Sequence, residues 1–171
     1  IHTATGMPIV IYNVIKTNPV LPEHLRYFTP DCGIVGIKQS VGGLHAVVDM
    51  VPACRGKYKV FGAQDDALFL SYLCGANGAI SAILTLFPKE CVAEWNAVQK
   101  GDVAQARALH ERMLPVWRQI EGGAFPGRLK TALRLAGIDS AGLPRAPILP
   151  ADAETVERIR RALQENGFIA G

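Results

Sequence analysis

The chain has 171 residues, of which 49% are hydrophobic and 19% charged, a composition that excludes a disordered protein. Its formal net charge is only +3, and the densest basic group, Arg158, Arg160 and Arg161, alternates with glutamates at helical spacing, which predicts a solvated helix face. No nucleic-acid partner is expected.

Apolar runs alternate with amphipathic segments through the first hundred residues. Short β-branched runs predict strands, and apolar residues at helical spacing predict helices. In chain order, the predicted elements are strand 7–14, helix 21–28, strand 32–38, helix 44–51 stopping at Pro52, strand 57–61, helix 65–74, strand 78–84 and helix 88–99. Four strand–helix units with continuously hydrophobic strands favour a parallel sheet covered on both faces.

Only helices are predicted after residue 100, at 103–120, 126–136 and 152–166. Four strand–helix units do not close a barrel, which needs eight strands. Either the sheet is open, or four further strands lie outside these residues, and the abrupt start at Ile1 favours the second interpretation.

Several kinds of site and location are not expected. The uncharged segment between Asp66 and Lys89 is long enough to cross a bilayer, but Gly75, Asn77 and Gly78 interrupt it and predict a helix, a turn and a strand instead. The four cysteines and four histidines lack the spacing of a metal or disulfide site. Buried free thiols in a reducing cytoplasm, no metal and no membrane segment are therefore predicted.

Lys38 ends an apolar strand, CGIVGIK. Catalytic residues collect at the carboxyl ends of barrel strands, and an amine kept away from water favours its neutral form, which attacks carbonyl groups. The alternative is a lysine whose stem packs on the strand while its ammonium reaches water. Tyr12 occupies a comparable place on the preceding strand, where its phenol could transfer protons or its ring could fill the core.

IYNV at 11–14 and GIVGIKQS at 33–40, followed by GAQDD at 62–66 and GANGAIS at 75–81, resemble motifs of the dihydrodipicolinate synthase/N-acetylneuraminate lyase family. The resemblance implies an α/β fold, a (β/α)8 TIM barrel of which residues 1–100 supply strands five to eight, with a helical extension at 101–171. It implies a cytoplasmic homo-oligomer, a dimer or tetramer, that acts on pyruvate or a related 2-keto acid. The N-terminal half of the barrel would be a required partner.

The resemblance also implies roles for individual residues. Lys38 would form the Schiff base, so that no separate cofactor is needed, and Tyr12 would relay protons. Ile80 would face the substrate through its backbone carbonyl. The part of the pocket that selects the second substrate would be lined by Ser40, Ala63, Gln64 and Asp65, although Asp65 also suits a helix N-terminus.

Three residues depart from the pattern of true dihydrodipicolinate synthases, and one of them is Gln64, which stands where the family has a glycine just before the paired acids. Ile15 replaces a proline, and Thr17 stands where an arginine would bind the aldehyde substrate's carboxylate, a bidentate contact that threonine cannot replace. A Schiff-base lyase, aldolase or dehydratase acting on another 2-keto acid, such as a sugar acid, is therefore the main prediction. The alternatives are a genuine 4-hydroxy-tetrahydrodipicolinate synthase and a catalytically silent scaffold or regulatory barrel.

Overall fold

The computed structural model describes residues 1–171 and contains one parallel sheet of four strands in the order β1-β2-β3-β4. The strands are β1 (Ile9–Asn13), β2 (Ile34–Gln39), β3 (Lys59–Gly62) and β4 (Gly78–Ala79). The predicted α/β class with a parallel sheet is confirmed.

The register aligns Tyr12 with Lys38, Lys38 with Phe61, and Phe61 with Gly78 across the four strands. Because side chains alternate between the two faces of a sheet, residues in one such row share a face. Tyr12, Lys38 and Phe61 therefore lie on one face, and the next row, Asn13, Gln39 and Gly62, lies on the other.

Eight α-helices and three short 3-10 turns complete the chain. The helices are α1 (His2–Thr5), α2 (Gly43–Cys54), α3 (Leu68–Leu73), α4 (Ile83–Leu86), α5 (Pro88–Gln99), α6 (Val103–Ile120), α7 (Phe125–Leu135) and α8 (Ala153–Glu165), and the 3-10 turns are Pro22–Tyr27, Pro30–Cys32 and Asp139–Ala141. None of the helices has the length and apolarity needed to cross a membrane.

The chain divides into two compact units. The sheet unit comprises residues 1–82 and 98–101, and the helical unit comprises residues 83–97 and 102–171. The division between a barrel half at 1–100 and an extension at 101–171 stays a prediction.

The core of the sheet unit lies between α2 and the sheet. Val47, Met50 and Cys54 of α2 are buried with Ile37 of β2 and Val60 of β3. The helical positions are three and four residues apart, so they form one apolar stripe. Each fully buried aliphatic side chain of this kind contributes roughly 1.5–3 kcal/mol, and this burial fixes α2 against β2, the strand that carries Lys38.

The helical unit is built around α6 and α8. Both helices begin with an aspartate whose side chain accepts a backbone N–H three residues on, Asp102 from Gln105 and Asp152 from Thr155. Ile120, Ile159 and Leu163 are fully buried in this unit. The predicted helices 103–120 and 152–166 are confirmed to within one residue at each end.

Four predicted elements differ from the structure in extent or in type. The predicted helix 44–51 does not stop at Pro52 but continues to Cys54, because burying Cys54 offsets the hydrogen bond that a proline cannot donate. The predicted helix 65–74 starts only at Leu68, since Asp65 instead accepts a hydrogen bond from Ser81. The segment 21–28 contains a 3-10 turn rather than an α-helix.

The fourth error concerns the predicted strand 78–84. Only Gly78 and Ala79 pair with β3, and residues 83–86 form α4 with Ile83 and Leu86 buried. A short apolar run fits a buried strand and a buried helix equally well. Cys32 and Cys74 also differ from prediction, because they are only partly buried, whereas Cys54 and Cys91 are buried free thiols.

Glu94 of α5 predicts a pH-dependent stability for the helical unit. It is 1% exposed, neither carboxylate oxygen has a hydrogen-bond partner, and burial raises its pKa from 4.5 to about 7. The folded state therefore binds this proton more tightly than the unfolded state does. The protonated Glu94 carboxyl makes its full contribution to the free energy of unfolding below pH 4.5. This contribution is lost as the pH rises through 7, a fall on the order of 3 kcal/mol.

Urea unfolding between pH 4 and pH 8 measures this fall. Both tryptophans, Trp95 and Trp117, belong to the helical unit, so their fluorescence reports on it. Glu94→Gln is expected to flatten the dependence, because an amide does not ionise. Glu90→Gln removes another carboxylate from α5 and is expected to leave it in place. Equal slopes for Glu94→Gln and the parent protein would contradict the prediction.

Candidate active site

The register of the sheet brings Lys38 and Tyr12 together. They are direct partners at the carboxyl ends of β2 and β1, and the Nζ atom of Lys38 lies 3.8 Å from the centroid of the Tyr12 ring. Lys38 is partly buried, whereas 54% of Tyr12 is exposed. The amine therefore lies against an aromatic face at cation–π distance.

The surroundings of Tyr12 stabilise its ionised form. The neighbouring side chain of Lys38 is the main reason that the pKa of the Tyr12 phenol is lowered, and the hydroxyl of Ser40 acts in the same direction. Partial burial and the negative charge of Asp65 oppose the shift without cancelling it. The phenol thus shares an electrostatic environment with one amine, one hydroxyl and one carboxylate, all at the same edge of the sheet.

Asp65 and Gln64 follow β3 and are fixed by hydrogen bonds to neighbouring segments. The Ser81 hydroxyl, which lies after β4, donates to the Asp65 carboxylate. The Gln64 side-chain amide donates to the Ser40 carbonyl at 2.6 Å. These contacts connect the loops after β2, β3 and β4, so they form one polar border beside Lys38.

Three further residues were singled out from the sequence, and they lie directly after β3, directly after β4 and in the loop after β1. Ala63 follows β3 directly and is partly buried. The backbone N–H of Ile80 donates to the Gly62 carbonyl at 2.9 Å, which holds the residue after β4 against β3. Thr17 is exposed in the loop after β1, which turns through the bond from Asn18 N–H to the Ile15 carbonyl. The structure gives Thr17 no contact with Lys38 or Tyr12.

Two features of this edge were not predicted from the sequence. Phe61 is the neighbour of Lys38 on the side away from Tyr12, so the amine lies in a row between two aromatic residues. Asn13 and Gln39, each one residue beyond a candidate catalytic residue, are both buried and bonded to each other. Alternation along β3 could have indicated Phe61, but the Asn13–Gln39 pair depends on the register between strands.

The arrangement suits chemistry at a carbonyl group. An amine beside aromatic rings can add to a ketone, and a phenol whose pKa is lowered can give and take the protons that this addition requires. The polar border consists of Ser40, Gln64, Asp65 and Ser81. It offers hydroxyl, amide and carboxylate groups to the remainder of a polar substrate.

Comparisons with known proteins match the chain to one protein family. The sequence model of the dihydrodipicolinate synthetase family matches residues 1–166. The 4-hydroxy-tetrahydrodipicolinate synthase of Desulfotalea psychrophila is 30% identical over 166 residues, 96% of this chain and 56% of the relative. That of Geobacter metallireducens is 31% identical over 171 residues, 99% of this chain and 59% of the relative.

The fold agrees with the sequence match. The crystal structure of dihydrodipicolinate synthase from Thermotoga maritima superposes with a TM-score of 0.86 at 29% identity, covering 98% of this chain and 58% of that one. A dihydrodipicolinate synthase described as the first monomeric variant gives a TM-score of 0.87, also at 29% identity. The chain spans a little over half the length of these relatives.

Proposed function

Because the chain belongs to the dihydrodipicolinate synthetase family, we propose that it carries the Schiff-base-forming half of a lyase or aldolase active on pyruvate or a related 2-keto acid. The observation that carries this proposal is the approach of the Lys38 amine to the Tyr12 ring at 3.8 Å, on adjacent parallel strands. The single charged group on this row of the sheet is thereby paired with the single phenol.

In the proposed reaction, the neutral Lys38 amine attacks the keto carbon of the substrate to give a carbinolamine. Tyr12 donates a proton to the departing hydroxyl, which leaves as water, and a protonated imine results. This imine withdraws electrons from the neighbouring carbon, so that loss of a proton or cleavage of a carbon–carbon bond there leaves a neutral enamine. Tyr12 then accepts and returns the protons exchanged at each step.

The choice of second substrate is proposed to depend on the polar border. Ser40, Gln64 and Asp65 present hydroxyl, amide and carboxylate groups, which suit a substrate with several hydroxyls, such as a sugar acid. Thr17 lacks the cationic fork that holds a second carboxylate. A genuine 4-hydroxy-tetrahydrodipicolinate synthase remains the second candidate, favoured by the names of the relatives at 30% and 31% identity.

Part of the machinery is proposed to lie outside these residues. The four strands leave one face of the sheet open, with Val10 40% and Tyr12 54% exposed, and an eight-stranded barrel would enclose that face. We therefore propose that an N-terminal half-barrel completes the site and supplies the group that binds the substrate carboxylate. Assembly of the whole protein into a cytoplasmic dimer or tetramer belongs to the same proposal.

Borohydride trapping tests the proposed function. The full-length protein is incubated with pyruvate and sodium borohydride, digested and analysed by mass spectrometry. The expected product is a secondary amine at Lys38 that carries the mass of pyruvic acid less one oxygen atom, since one water is lost while one hydride and one proton are gained. Correct folding without an adduct at any pH would overturn the proposal and favour a silent scaffold or regulatory barrel.

A turnover assay separates the two enzymatic candidates. The full-length protein is supplied with pyruvate and either aspartate semialdehyde or a panel of polyhydroxylated aldehydes. Because Thr17 cannot hold the semialdehyde carboxylate, turnover is expected with the hydroxylated aldehydes. Efficient condensation of aspartate semialdehyde would instead identify a genuine 4-hydroxy-tetrahydrodipicolinate synthase.

A further inference from the structure

Asn13 and Gln39 form a buried amide pair behind the candidate active site. They are 3% and 1% exposed, and the Asn13 Nδ2 group donates to the Gln39 Oε1 atom at 2.9 Å. They are direct register partners on β1 and β2, one residue beyond Tyr12 and Lys38. Since successive side chains alternate between faces, the pair lies on the opposite face of the sheet from the amine and the phenol.

The same pair fixes the two loops that leave these strands. The Asn13 side chain donates to the Val20 carbonyl at 2.8 Å and accepts from the Val20 N–H at 2.9 Å, which closes the loop after β1. The Gln39 side chain donates to the Val41 carbonyl at 2.7 Å. The Asn13 backbone carbonyl accepts from Ser40 and Val41 at 3.1 and 3.0 Å. Both side-chain amides thus donate and accept hydrogen bonds at the two strand ends.

This network bears directly on the position of the reacting groups. A shift of one residue in strand register moves every side chain to the other face, and the network joins the two strands at their last paired residues. A local separation at Asn13 and Gln39 would change the distance between Lys38 and Tyr12, which precede them without an intervening residue. Buried amides that satisfy each other specify one geometry, and removal of one partner leaves the other unsatisfied.

We propose that Asn13 and Gln39 are positioning residues that set the distance and orientation between the Lys38 amine and the Tyr12 phenol. They act through the backbone and touch neither the substrate nor the reacting atoms. The proposal rests on the proposed function, since the pair matters to catalysis only if Lys38 and Tyr12 perform it.

Asn13→Ala is compared with a matched control, Asn77→Ala. Asn77 also accepts a backbone N–H through its side-chain oxygen at 2.9 Å, from Val60, but it lies directly before β4, two strands away from Lys38. In the full-length protein, Asn13→Ala is expected to slow formation of the trapped pyruvate adduct at least tenfold. Asn77→Ala, at a comparable loss of urea resistance, is expected to change that rate less than twofold.

Gln39→Glu covers the case in which Asn13→Ala does not fold. A glutamate keeps the shape of the side chain and the acceptor for Asn13 but loses the donor to the Val41 carbonyl. An intermediate reduction in rate is expected, and the rate is measured per mole of folded protein because a buried carboxylate lowers stability. Equal rate losses in the Asn13 and Asn77 variants, or a wild-type rate in both Asn13→Ala and Gln39→Glu, would overturn the proposal.

A second measurement needs no substrate. Ultraviolet difference titration of each variant against its own Tyr12→Phe derivative isolates the ionisation of Tyr12 among the four tyrosines. Asn13→Ala is expected to move the phenol titration upwards, towards the ordinary value near pH 10, because the amine no longer lies over the ring. An unchanged titration would overturn the positioning role. If the parent protein forms no pyruvate adduct, the proposed function fails, and this titration still decides the positioning role.

Discussion

Replacing Lys38 with alanine is expected to abolish the borohydride-trapped pyruvate adduct. The alanine variant has no amine at the carboxyl end of β2, so no carbon–nitrogen bond can form there. The partly buried lysine stem also packs beside the Tyr12 ring, and its loss is expected to reduce stability by about 1 kcal/mol at most. Mass spectrometry of the reduced protein should therefore give the unmodified mass, while urea unfolding remains close to that of the parent.

Lys59→Ala provides the matched control. Lys59 is an exposed lysine on the neighbouring strand, aligned with Gly36, which lies two residues before Lys38 and therefore on the same face of the sheet. It has no aromatic partner of the kind that Tyr12 gives to Lys38, so the adduct is expected to form in Lys59→Ala as in the parent protein. Retention of the adduct in Lys38→Ala would assign the chemistry to another lysine and refute the proposed mechanism.

Lys38→Arg tests nucleophilicity apart from charge. The guanidinium keeps the positive charge over the Tyr12 ring, but arginine stays protonated at any pH at which the protein folds. Normal folding with no adduct is therefore expected. Since the electrostatic environment of the phenol is largely retained, a loss of the adduct in this variant is attributable to the missing free amine.

The sequence predicted that Lys38 and Tyr12 lie close together because both residues stand out from apolar strands. Lys38 ends a strand that is otherwise apolar, and Tyr12 holds the same position on the preceding strand. Parallel strands bring their carboxyl ends to one edge, so the proximity of the two side chains followed once both runs were identified as strands. The structure adds what no spacing could give, namely the register that makes them direct partners.

Features that depend on contacts between distant segments were not predictable. Ser81 donates to Asp65, sixteen residues earlier, and this contact displaces the start of α3 from 65 to Leu68. The segment after Gly78 is apolar throughout, and its periodicity does not distinguish a strand from a helix. The burial of Ile83 and Leu86 favours the helix. Tertiary packing therefore overrode local preference at these two of the four wrongly predicted elements.

Tyr12→Phe is expected to slow adduct formation by roughly 10²-fold or more, the usual contribution of a positioned general acid or base. The phenylalanine ring still offers a face to the Lys38 amine at the position that now lies 3.8 Å away. The variant therefore removes proton transfer while keeping the cation–π contact. Stopped-time borohydride quenching over a series of pyruvate concentrations should show a reduced maximal rate, with half-saturation nearly unchanged.

The pH profile distinguishes proton transfer by Tyr12 from a structural effect. Lys38 and Ser40 lower the pKa of the Tyr12 phenol, so the parent protein is expected to lose its acid on an alkaline limb that begins below pH 10. That limb should disappear in Tyr12→Phe. Tyr27→Phe removes an exposed phenol whose oxygen accepts from Arg26, and it should leave both rate and profile intact. An alkaline limb that persists in Tyr12→Phe would mean that another group transfers the proton, and the phenol would then serve only as an aromatic surface for the amine.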